Sequence, residues 1–221
     1  MDSIKIDETL LIPSGRHTLA PDEVEERQRE RLLRAIVAAV AERGYKDATI
    51  ADVVRVARTS RSAFYEHFAN KQACFLEAYE QMTSAFIGAS LQAAEPLPGW
   101  QEKLSAGIAT YFEWMGEHPE VAVSTVVEVH SAGRQALEAR SLVLRRWMRT
   151  LEGVAVLARR AGAGIDPPES AYAAIVLTAE AEVHEYARRG RVARVGERAA
   201  AVIALADSLY AAAEPRARAP R

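Results

Sequence analysis

A single cysteine, Cys74, occurs in 221 residues, which excludes an intrachain disulfide and fits a reducing compartment. No run approaches the roughly 18 apolar residues that a membrane span needs. The N-terminus, MDSIKIDETLLIPSGRH, carries acids and lacks the apolar centre of a signal peptide. The reading is a cytoplasmic protein with no membrane partner. Net charge is only −2, which argues against bulk electrostatic binding of nucleic acid. A Gly-rich phosphate loop, a nucleophile elbow and paired Cys/His metal spacing are also missing. Gly162-x-Gly164 has no strand before it and reads as a helix stop. No catalytic residue, cofactor or metal is therefore expected, and the chain does not read as an enzyme.

What is present is an ordinary globular composition, 49% hydrophobic and 26% charged. Residues 1–20 read as a flexible arm and 214–221, with Pro215 and Pro220, as a disordered tail. Pro21 suits a first helical position, and the acids behind it favour a helix N-terminus. Leu32, Leu33, Ile36, Val37 and Val40 then recur at helical spacing until Gly44. Asn70 can cap a helix from Lys71 to about Ala94. Beyond Pro96, Pro98 and Gly99 the pattern predicts helices over 100–117, 119–132, 134–161, 168–189 and 195–213. The predicted fold is all-α with about nine helices: a first unit over 21–70 and a longer helical control unit over 71–213.

Residues 49–71, TIADVVRVARTSRSAFYEHFANK, are the most informative stretch. Thr49 and Asp52 form a Thr-x-x-Asp capping box, and Ser60 is a second N-cap. Phe64 and Phe68 share one face of the second helix, while Arg61, Ser62, Tyr65 and Ala63 lie toward the other. Arg55, Arg58, Arg61 and Lys71 face one acid, Glu66, so the basic surface is local. Two capped helices joined by a four-residue turn are the layout of a helix-turn-helix. The same pattern also occurs in bundles that never meet DNA.

The run ERLLRAIVAAVAERGYKDATIADVVRVARTSRSAFYEHFANKQACF strongly resembles the N-terminal domain of the TetR family of bacterial repressors. Gly44-Tyr45 before Thr49, apolar residues at 50, 53 and 54, Ser60, Phe64-Tyr65-x-His67-Phe68 and Lys71 carry the likeness, over about residues 27–77. The resemblance implies a homodimer that reads a palindromic double-stranded DNA operator and is released by a small effector. Carried over residue by residue, Thr49, Tyr65, His67 and Lys71 position the domain on phosphates. Arg61 and Ser62 read bases, with Thr59 and Ala63 as lesser contacts. Arg16 resembles the arm of some members and is a candidate for the minor groove. The family usually has Gly-Val where Arg58-Thr59 stands. If position 58 needs positive φ, arginine there costs about 1 kcal/mol unless it reaches a phosphate.

In the control unit, Met82, Phe86, Tyr111, Trp114, Met115, Trp147, Met148 and Tyr172, with Glu128 as a buried polar group, are candidate walls of an effector pocket between helices. They suggest an apolar or aromatic effector. Glu128 and His130, and likewise Glu180 and His184, read equally as solvated helix faces. The alanine-rich last two helices supply Ile175, Val183, Val202, Ile203, Leu209 and Tyr210 as candidate dimer contacts, since the family docks this pair on its symmetry mate. A helical lipid- or metabolite-binding protein without DNA function is the alternative reading of the same architecture.

Overall fold

The computed structural model describes residues 21–213, and every regular element among them is helical. Helix α1 (Pro21–Arg43) buries Leu32, Leu33, Ile36, Val37 and Val40 along one stripe. It ends at Gly44, whose φ of +78° needs no Cβ. Three capped helices follow: α2 (Ile50–Ala57), α3 (Arg61–His67) and α4 (Lys71–Ala94). Their N-caps are Thr49, Ser60 and Asn70, each accepting from the backbone N–H three residues on.

Helix α4 serves two cores. Near its start Cys74 and Phe75 are buried, the Cys74 thiol lying 3.8 Å from the Leu32 carbonyl of α1. Burial pushes that thiol far above its ordinary pKa. Further along, Thr83, Phe86 and Ile87 are buried in the helical body. The body comprises α5 (Trp100–Glu117), α6 (Pro119–Ala122), α7 (Arg134–Arg160), α8 (Glu169–Arg188) and α9 (Ala199–Ala211).

Two stretches depart from the sequence pattern. The predicted helix over 119–132 is three pieces: α6, a π turn at Val123–Val127 and a 3-10 turn at Glu128–Ser131. Hydroxyls compete with the ladder here: Thr125 donates to the Val121 carbonyl and Ser124 to the Val37 carbonyl of α1, each at 2.8 Å. The last predicted helix is also split, with a 3-10 segment, Val192–Arg198, ahead of α9. No helix among the described residues is long and apolar enough to cross a membrane.

Candidate nucleic-acid interface and interior cavity

The turn between α2 and α3 is built from local hydrogen bonds. The Thr49 amide donates to Asp52 Oδ2 (3.0 Å) and the Asp52 amide to Thr49 Oγ1 (3.2 Å). The Thr49 hydroxyl also donates to Asp52 Oδ2 (2.6 Å), so its proton is already used within the domain. These bonds, and to a lesser degree Arg43 and Arg55, hold the Asp52 carboxyl below its usual pKa. Arg58 has φ 51° and ψ 50° and is the single non-glycine residue at positive φ among those described. Its amide and that of Thr59 close α2 on Arg55 and Val54 carbonyls. Gln28 of α1 donates to Thr59 Oγ1 (3.1 Å), fixing the turn from behind.

Beneath α3, Phe64 and Phe68 are 0% and 4% exposed. Above, Arg61 and Ser62 are exposed, and Tyr65 is 50% exposed with its ring edge-on to Phe64. Arg58 is exposed, Thr59 and His67 are half-buried, and neither Arg58 nor Arg61 has an ion-pair partner among the described residues. Ala63, expected on the outer face, is buried at 8% and gives its amide to Ser60. The helix is only two turns long, and Ala63 sits on the flank that closes against the core. Arg16 lies outside the described residues.

Lys71 points inward. Its ammonium donates to the carbonyls of Tyr45 (2.6 Å) and Ala48 (2.8 Å) and lies 4.4 Å from the centre of the Tyr45 ring. Burial lowers its pKa. The cation is thus held by the loop ahead of α2, which leaves it few donors for a phosphate. Glu128 meets the same loop from the opposite side, accepting the Tyr45 amide at 2.7 Å. It does not line the interior cavity. Gln72 completes the junction by donating to the Ala132 carbonyl (3.1 Å).

The helical body holds a partly open cavity of about 40 Å3, much smaller than the roughly 300–1,000 Å3 of an ordinary ligand pocket. Of the anticipated wall residues, Phe86, Tyr111, Met115 and Trp147 come together around it. Trp114 stands behind Phe86 and stacks on His118 at 4.2 Å. Met82 packs against the core elsewhere, and Met148 and Tyr172 line a separate charged recess. Three hydroxyl-bearing residues missed by the sequence reading also line the cavity: Tyr79, Thr83 and Thr125. The Tyr79 and Tyr111 phenols are pushed above their usual range by burial and by the nearby Glu180 carboxylate. Glu180 is gripped by Arg140, whose Nε is 2.8 Å from it, so its pairing with His184 as a metal site has no support in the geometry. Among the described residues no cluster of three His, Cys, Asp or Glu side chains could hold a metal.

The expected dimer residues are mostly inside the chain. Ile175, Val183, Val202 and Tyr210 are 2%, 0%, 1% and 0% exposed, and the Tyr210 hydroxyl donates to the Leu151 carbonyl at 2.6 Å. Ile203 and Leu209 are partly buried against the same core. The outward faces of α8 and α9 instead carry Leu177, Ala181, Ala200, Ala201 and Ala204. Apolar size sent the large residues to the core and left alanine for the surface.

An exposed polar helix, anchored by two phenylalanines and preceded by a capped turn, is the arrangement of a helix-turn-helix. Residues 32–78 match the model of the bacterial regulatory proteins of the tetR family, and the N-terminal unit is a helix-turn-helix domain of that family. Solved structures with the same fold include the transcriptional regulator FadR from Bacillus subtilis in complex with stearoyl-CoA, at 18% identity and TM-score 0.72, covering 80% of this chain and 96% of that one. The fatty acid degradation regulator FadR from Bacillus halodurans is 17% identical, with TM-score 0.73 and the same coverages of 80% and 96%. A TetR transcriptional regulator from Chloroflexus aurantiacus is 19% identical, with TM-score 0.66 over 84% of this chain and 95% of that one. Among curated proteins no sequence match was found.

Proposed function

We propose that this chain is a cytoplasmic, homodimeric transcriptional repressor that leaves a palindromic operator when a small apolar or aromatic effector binds its helical body. Residues 21–70 are the DNA-binding unit and 71–213 the effector and dimer unit. The observation that carries this reading is the face of α3: Arg61, Ser62 and Tyr65 stand out into solvent while Phe64 and Phe68 hold the helix from below. Arg61 and Ser62 read base edges. Tyr65 and His67 meet phosphates, joined by Arg58 and Thr59 at the turn. Thr49 and Lys71 act one step back: the first caps α2, and the second clamps the loop that precedes it.

The release mechanism follows from the junction. Thr125 and Val126 line the cavity within the π turn, and Glu128 in the next turn holds the Tyr45 amide. A molecule that enlarges the cavity displaces this turn and so the loop ahead of α2. Release requires only that the effector prefer the displaced arrangement.

The test is a gel shift at fixed salt on the DNA upstream of the chain's own gene. Tyr65→Phe weakens binding evenly across sequences, whereas Arg61→Ala costs about 1–3 kcal/mol and relaxes base preference at one position. Unchanged operator affinity in the Tyr65→Phe, Arg61→Ala double variant would overturn the reading.

A further inference from the structure

A groove of about 670 Å3 runs along the outside of the helical body between the end of α4, α5 and the second half of α7. Its walls are apolar, and Leu91 and Leu157 stand 49% and 41% exposed beside it. Ile108, Trp147 and Leu151 line both this groove and the interior cavity, so a wall one side chain thick separates the two.

Two features give the groove a chemical preference. The first is Ser90, 5% exposed on the groove wall, whose hydroxyl has no hydrogen-bond partner. Thr83, Thr125, Thr150 and Ser208 each return their hydroxyl to the carbonyl four residues back; Ser90 does not. A buried hydroxyl left in this state is a donor awaiting an acceptor. The second is charge. Lys103, Arg149 and Arg160 line the groove against one acid, Glu95. Lys103 is satisfied by the Ala94 and Glu95 carbonyls at 3.0 and 2.8 Å. Arg149 and Arg160 are exposed, share a face of α7 and have no ion pair among the described residues. Their spacing along the helix is roughly 16 Å.

Building on the effector reading above, we propose that this groove is the outer half of the effector site, and that its occupant is an elongated amphiphile with an apolar chain and one anionic oxygen-bearing head. The head accepts a hydrogen bond from the Ser90 hydroxyl and lies in the combined positive field of Arg149 and Arg160, without pairing directly with both. The chain lies along the leucine-lined walls and pushes past Trp147 into the cavity, which is too small to hold it otherwise. This gives the displaced π turn its cause.

Isothermal titration of the full chain with decanoate, decanol and decyltrimethylammonium tests the idea, since the three probes share a chain and differ in the head. Decanoate is expected to bind about tenfold tighter than decanol, and the cation weakest. The Arg149→Ala, Arg160→Ala double variant brings decanoate down to the affinity of decanol, and Ser90→Ala weakens decanoate about fivefold while leaving the cation unchanged. Ile108→Trp thickens the wall and removes the advantage of decanoate over hexanoate. Circular dichroism of each variant confirms the fold. Equal affinity for all three heads, no binding of any probe, or indifference of decanoate to Ser90 and the arginines would each overturn the proposal. All four positions lie away from α3, so operator gel shifts without probe judge the repressor reading separately.

Discussion

Arg58 sits in the left-handed region with an ordinary side chain, at a position the family usually gives to glycine. The conformation costs about 1 kcal/mol relative to a favoured backbone geometry, and no ion pair among the described residues engages the guanidinium to offset it. Arg58→Gly is therefore expected to raise the melting temperature by about 2–4 °C in a thermal scan, while weakening operator binding and flattening its dependence on salt. A variant that loses both stability and affinity would show the arginine to be unstrained. The positive φ was legible because Arg58 replaces an expected glycine. The support behind it was not: Gln28, which holds Thr59, is remote in sequence and has no local pattern to announce it. Lys71 illustrates the converse. Its place in the motif suggested a phosphate contact, and its ammonium is held by the Tyr45 and Ala48 carbonyls.

The helix ends were readable at the scale of elements because caps are local chemistry. Thr49, Ser60 and Asn70 open helices where their side chains can accept a free amide. The π turn at Val123–Val127 was not readable, since the Val37 carbonyl that draws Ser124 lies 87 positions away. This turn joins the cavity to the Tyr45 amide through Glu128. Glu128→Ala leaves that amide unpaired and is expected to destabilise the protein by about 1–3 kcal/mol, seen as a lower melting temperature. Glu128→Gln keeps an acceptor oxygen and most of the stability. In gel shifts with effector, the alanine variant should stay on DNA at effector concentrations that release the parent. Equal release from both would place the coupling elsewhere.

For the whole molecule, the all-helical build was visible in residue type, but which faces point outward was not. Apolar pattern cannot tell a side chain buried in its own core from one buried against a second copy, and Ile175, Val183 and Val202 proved to be the former. On α8 and α9, where the proposed partner copy would dock, the exposed apolar surface is Leu177 among alanines. Leu177→Asp is expected to shift the protein to monomer in sedimentation and, because two half-sites then bind independently, to weaken operator binding about a hundredfold or more. A dimeric Leu177→Asp protein with full affinity would move the interface off α8. The lone thiol, Cys74, is sealed between α1 and α4 with its proton held tightly. Maleimide reagents in neutral buffer therefore find no target, and a cysteine introduced at the exposed Ser62 becomes the molecule's one addressable label. In the proposed dimer, distance measurements between the two copies can then follow α3 without first rebuilding the core.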